Sequence, residues 1–106
     1  MTHTIKRGDT RQIIKAVLGN DGVPVNLTGA TVRFLMSRYQ TGALVINRAA
    51  HIEDATGGKI WFVWLAGDTN TAGLYQAEFE VTFPDGKVET YPNADYIYVN
   101  IIPDLG

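Results

Sequence analysis

From Tyr75 to Phe83 the chain alternates without a break. Tyr75, Ala77, Phe79, Val81 and Phe83 fall on one face, and Gln76, Glu78, Glu80 and Thr82 on the other. Side chains of a strand switch faces at every residue, so this stretch predicts a long strand with one apolar and one wetted face. Pro84-Asp85-Gly86 predicts a tight turn after it, because Pro presets φ and Gly accepts φ > 0. Lys87–Tyr91 then pairs back as a hairpin. The polar stretch Asp68–Gly73 before the strand has the composition of a corner between sheets. Tyr75 follows Gly73 closely, where a tyrosine corner sits in sandwich folds. In that arrangement Asp68, Gly73 and Tyr75 form a structural corner, and the Tyr75 hydroxyl bonds back to the backbone near Asp68 or Thr69. The alternative is an ordinary core tyrosine.

Upstream, Ile5–Arg7 reads as a short first strand and Gly8-Asp9-Thr10 as a turn. Arg11–Leu18 fits two elements. Ile13, Ile14, Val17 and Leu18 make a helical face between a Thr10 cap and a Gly19 stop, but so short a stretch of β-branched residues fits a strand better. Asn20-Asp21-Gly22 is a turn signal. Pro24–Gly29 is an irregular connector anchored by Leu27. Ala30–Arg38 is a strand with Val32, Phe34 and Met36 facing in. Tyr39–Gly42 turns the chain, and Ala43–Arg48 is a strand at an edge. Ala49–Gly58 is polar apart from Ile52 and reads as a loop.

Lys59–Leu65 is apolar on both faces: Ile60, Phe62 and Trp64 on one, Trp61, Val63 and Leu65 on the other. A half-exposed strand is not written that way. Either a neighbour covers the second face or that face is a binding surface. The odd spacing of Trp61 and Trp64 sends their rings to opposite sides. Parity assigns Trp64 to the core and leaves Trp61 outside with Val63. Pro92–Asp95 kinks the chain. Tyr96–Ile102 closes the domain, with Ile97, Val99 and Ile101 opposite Tyr96, Tyr98 and Asn100. Trp61, Val63, Tyr96 and Tyr98 are therefore the candidate interface, since several aromatic residues on outer faces point to a surface another chain covers. The alternative for Trp61 is cover by neighbouring strands or by the Ala49–Gly58 loop. The expected core includes Phe34, Phe62, Phe79 and Val99.

About seven to nine short strands with frequent turns predict an all-β, immunoglobulin-like β-sandwich, with a small closed barrel as the other architecture. The 106 residues make a single domain, 1–106. There is no Cys, which excludes disulfides and thiolate metal sites. A net charge of −2 offers no basic groove for nucleic acid or an anionic membrane. No apolar run reaches the length of a membrane span, and the N-terminus lacks the apolar middle of a signal peptide.

The search for chemistry leaves little. His3 and His51 stand in no metal-ligand spacing, and His51 with Glu53 and Asp54 reads as a solvated turn. Glu78 and Glu80 share a wetted face, where carboxylates solvate. No catalytic residue, metal or cofactor is expected. Arg7-Gly8-Asp9 matches an adhesion tripeptide but sits in a turn. Asn26-Leu27-Thr28 matters as a glycosylation acceptor only in a secreted eukaryotic protein.

Taken in order, several pieces resemble one family. They are Gly8-Asp9-Thr10, the run from Asn20-Asp21-Gly22 through Val25-Asn26-Leu27-Thr28-Gly29-Ala30 to Phe34, Gly58–Phe62, Asp68 with Ala72-Gly73-Leu74-Tyr75-Gln76-Ala77-Glu78-Phe79, and Pro84-Asp85-Gly86. Together they resemble the N-terminal domain of the phage baseplate upper protein family, over nearly the whole chain. The resemblance implies an immunoglobulin-like, non-enzymatic module of a phage or prophage tail. It would be assembled in the bacterial host cytoplasm, sit in the virion tail and dock to other tail proteins, with a homo-oligomer left open. Such modules often carry host-recognition parts at their C-terminal side. Pro103–Gly106 reads as the start of a linker, so the chain is either a small tail protein or an excised module. The other function class is a carbohydrate- or receptor-binding module of an adhesin, which would stack exposed Tyr and Trp on sugars.

Overall fold

A computed structural model describes residues 2–93 and 95–106. The described residues form strands, turns and connectors, with no helix among them. The strands are β1 (Thr2–Lys6), β2 (Ile13–Val17), β3 (Gly19–Asn20), β4 (Val23–Pro24), β5 (Thr31–Arg38), β6 (Leu44–Ala49), β7 (His51–Asp54), β8 (Lys59–Val63), β9 (Gly73–Thr82), β10 (Val88–Tyr91) and β11 (Ile97–Ile102).

Two sheets pack face to face as a β-sandwich. The large sheet runs β1-β11-β9-β5-β6, and β10 joins it on β9. The small sheet runs β2-β8-β7, and β3 and β4 form a separate short hairpin. β9 is the axis of the large sheet. One flank pairs with β5 over its last eight residues, and the other pairs first with β11 and then with β10. β1 lies parallel to β11, with Thr2 opposite Tyr98 and Lys6 opposite Ile102.

The count of eleven exceeds the expected seven to nine. The surplus comes from the two-residue strands of the β3–β4 hairpin and from β7. β7 lies inside the stretch expected to be a loop. It was hidden because only Ile52 turns toward the core, while His51, Glu53 and Asp54 are exposed at a sheet edge. Ala50 alone separates β6, the edge of the large sheet, from β7, the edge of the small one. The chain therefore passes from one layer to the other in a single bent run. Arg11–Leu18 holds strand β2 and no helix. The first strand starts at Thr2 rather than Ile5, because β11 offers it a pairing partner along its whole length. The expected kink at Pro92–Asp95 includes Ala94, which lies outside the described residues.

The core follows the parity of the strands. Val32, Phe34 and Met36 of β5, Tyr75, Ala77, Phe79 and Val81 of β9, and Ile97, Val99 and Ile101 of β11 all point inward and are buried. Ile14, Ile60, Phe62 and Trp64 meet them from the other layer, and Leu27 fills the gap beneath its connector. Phe34 stacks on Phe62 across the sandwich at 4.1 Å and stands 5.3 Å from Phe79, while Phe62 meets Trp64 edge-on at 5.5 Å. Burying one such ring stabilises by about 1.5–3 kcal/mol, so this aromatic group is a main tie between the layers.

Gly58 shows how tightly the β3–β4 hairpin is held. Its φ of +65° is one that residues with a side chain rarely adopt, and a Cβ there would meet the Leu18 carbonyl oxygen at 2.6 Å and that of Val25 at 2.9 Å. The Gly58 carbonyl in turn accepts from the Leu18 N–H at 2.8 Å.

Candidate functional site

The corner before β9 is built from named bonds. The Tyr75 hydroxyl donates to the Thr71 carbonyl at 2.7 Å. The acceptor is thus Thr71 and not the backbone of Asp68 or Thr69, and the Thr69 carbonyl is engaged elsewhere. Thr69 is fully buried, its hydroxyl donates to the Asp9 carbonyl at 2.9 Å, and its own carbonyl accepts from Gly8 N–H at 3.1 Å. These two bonds fasten the β1–β2 turn to the corner. The Asp68 carboxylate accepts from the Leu65 N–H at 2.7 Å and from the Arg48 guanidinium at 2.7 and 3.2 Å. Gly73, with φ of +151°, opens β9.

Arg48 was not singled out in the sequence. It shares the inward parity of Ile46 on β6, and its guanidinium lies 4.7 Å over the Phe62 ring while also donating to the Val63 carbonyl at 3.0 Å. One side chain thus joins the large-sheet edge, the end of β8 and the corner. No local sequence pattern announces it.

The four candidate interface residues divide between two surfaces. Trp61 and Val63 lie on the outer face of the small sheet. Val63 is exposed, whereas Trp61 is partly covered by His51, whose ring meets it edge-on at 5.0 Å. Lys15 stands on its other side in register. Tyr96 and Tyr98 lie on the outer face of the large sheet, with the core between them and Trp61. They cannot take part in one flat contact with Trp61 and Val63. Parity reports in or out, and it does not report which layer a strand belongs to.

The large-sheet face is the richer of the two. Ser37 and Gln76 sit opposite each other at its centre, Gln76 faces Tyr98, and Ser37 faces Leu44. Tyr39 comes within 6.1 Å of Tyr98. Tyr39, Leu44, Leu74 and Tyr96 are each 40–58% exposed. The result is an apolar and aromatic patch around a small polar centre. Tyr39, Leu44 and Leu74 were missed because they fall at strand ends, where alternation is hard to read.

The remaining candidate chemistry resolves into local structure. No group of three or more metal-ligating side chains occurs among the described residues. His51 packs on Trp61, and the Asp54 carboxylate accepts from the Thr56 hydroxyl and the Gly57 N–H, both at 3.2 Å, as a turn does. His3 points toward the core 6.2 Å from Trp64, and burial lowers its pKa, which favours the neutral ring. Arg7 is paired with Asp104 at 2.7 Å, and the amide of Gly8 is held by the corner. Asn26 accepts from the Thr28 N–H at 3.0 Å and hydroxyl at 2.6 Å, capping its own connector.

A family model described as the BppU N-terminal domain matches residues 2–92. Among solved structures, the crystal structure of CopC from Methylosinus trichosporium OB3b is similar with a TM-score of 0.53 and 16% identity, over 95% of this chain and 85% of that chain. At that identity the likeness shows the fold alone. No curated protein matches the sequence.

Proposed function

Because the chain belongs to the BppU N-terminal domain family and is thus a phage baseplate structural domain, we propose that it works as a non-enzymatic docking module. It holds other tail proteins against the sandwich and so positions host-recognition parts of the virion. The observation that supports this reading is the patch on the outer face of the large sheet. Tyr39, Leu44, Leu74 and Tyr96 expose apolar surface in one neighbourhood, and such patches on small domains usually mark contacts with other chains. The polar pair Ser37 and Gln76 at its centre supplies direction to the contact. Self-association through the same patch belongs to this reading as a homo-oligomeric form of docking.

The test is co-purification with other baseplate and tail proteins of the same phage or prophage. The double variant Leu44→Glu with Leu74→Glu should fold like the parent and lose that capture. Capture that survives both charges would remove the patch from the interface. Binding of the parent to glycans or host cell walls, with no capture of tail proteins, would instead favour a carbohydrate- or receptor-binding module.

A further inference from the structure

The small sheet ends on one side at β2 and on the other at β7. A cleft of about 700 Å³ lies between β2 and the β10–β11 side of the large sheet, with Pro92 at its wall and the buried Ile60, Phe79 and Ile97 beneath it. Lys15, Ala16 and Val17 all border it. Leu18, Gly19, Lys59 and Glu53 border it too, so it opens at the Val17 end of the small sheet as well as beside β2. Within its sheet β2 is hydrogen-bonded to β8 alone, which leaves its other edge without a strand partner, and Lys15–Val17 of that strand border the cleft. The other edge of the small sheet is guarded: β7 has four residues, two of them acidic, and an irregular register. β2 reads Ile13-Ile-Lys-Ala-Val17, with one charge as its only protection.

We propose that this cleft is a strand-addition site. An extended segment of another tail protein pairs with β2 as a fourth strand of the small sheet. Its alternate apolar side chains turn inward beside Ala16 and toward Pro92, and its other side chains face outward beside Lys15. The assignment of the segment to a tail protein rests on the docking reading above. β2 offers five residues, or about 17 Å of edge at the rise of a strand. Lys15 and Lys59 both border the cleft, against the single carboxylate of Glu53. Neither lysine is in an ion pair among the described residues. The outward positions of the added strand are therefore acidic. The same charge argues against a second copy of this chain as occupant. Antiparallel pairing of two β2 strands about their centre would set Lys15 against its own copy, and like charges directly opposite each other are destabilising.

Backbone amide exchange on the full chain tests this, with peptides of about seven residues, long enough to span β2. A peptide of alternating valine and glutamate should slow exchange across Ile13–Val17. Its valine–lysine counterpart, or the valine–glutamate peptide on a Lys15→Glu protein, should bind roughly fivefold more weakly. If Lys15→Glu does not fold, the valine–lysine peptide makes the same test on the parent. A peptide interrupted by proline should not protect β2. Protection elsewhere, equal binding of all three peptides, or no protection at all would overturn the proposal. Protection of β2 that grows with protein concentration alone would assign the site to a second copy and overturn it too. Failure here leaves capture of tail proteins by the large-sheet patch intact. Loss of that capture with peptide binding retained would sink the docking reading alone.

Discussion

The Arg48 guanidinium closes on both carboxylate oxygens of Asp68, at 2.7 and 3.2 Å, from β6 at the edge of the large sheet to the corner between β8 and β9. Asp68 is 12% exposed and Arg48 33%, so the pair is neither a free surface bridge nor a fully buried one. Removing Arg48 strips a partly buried carboxylate of its partner and uncovers the face of Phe62. Arg48→Ala should cost about 1–3 kcal/mol. The double variant with Asp68→Ala should cost less than the sum of the two singles, because the side chains act as a unit. Urea denaturation of all four proteins gives the coupling, and strict additivity would show that the pair is only decorative.

Tyr75→Phe keeps the ring in the core and leaves the Thr71 carbonyl without its donor. The loss should be roughly 1–3 kcal/mol. An unchanged melting temperature would mean that the ring alone matters at this corner.

Phe79→Ala removes a fully buried ring from the group formed with Phe34 and Phe62. A drop of roughly 3–5 kcal/mol is expected, a large part of the stability of a domain this size. Thermal melts that barely move would place this ring outside the tie between the layers.

Trp61→Ser tests the small-sheet face separately. The ring is outward but lies against His51, so the variant should fold with a loss of about 1 kcal/mol. Capture of tail proteins should persist if the large-sheet patch is the contact, and co-purification reads this directly. Its disappearance in a folded variant would move the interface to the other side of the sandwich.

Alkaline pH should expose Tyr91. Its phenol donates to Glu89 at 2.6 Å, and burial, then the hydrogen bond and charge of Glu89, push its pKa from 10.0 up to about 12. Unfolded chains release this proton first. The stabilisation is therefore complete below pH 10.0 and is lost as the pH climbs toward about 12. Denaturation followed between these values should show a decline that Tyr91→Phe reduces.

The wide sheet was legible in the sequence because its strands alternate cleanly. Phe34, Phe79 and Val99 are at zero exposure for that reason. β7 was not legible, since an edge strand with a single inward residue carries no period to detect. The corner was visible as composition at Asp68–Gly73, but its acceptor depended on Thr69 being claimed by Gly8 and Asp9 from far upstream. Arg48 was invisible for the same kind of reason. Its partner lies twenty residues away, and the pairing exists only once two layers are stacked. The outward parity of Trp61 and Tyr98 could be read off, whereas their separation onto opposite faces required the sheet order.

The parallel pairing of β1 with β11 has a mechanical consequence. Thr2 lies beside Tyr98 and Lys6 beside Ile102, so a pull on the two ends of the domain draws these strands past each other along their length. The ladder is then strained as a whole instead of opening one bond at a time. The Arg7–Asp104 bridge and the Arg7 N–H bond to the Ile102 carbonyl at 2.8 Å sit at the end of that ladder and resist the first slip. Stretched in a single-molecule experiment, the domain should break at a high force in one step. The strands β10 and β9, joined as an antiparallel hairpin, would peel apart at a much lower force if pulled from their open ends.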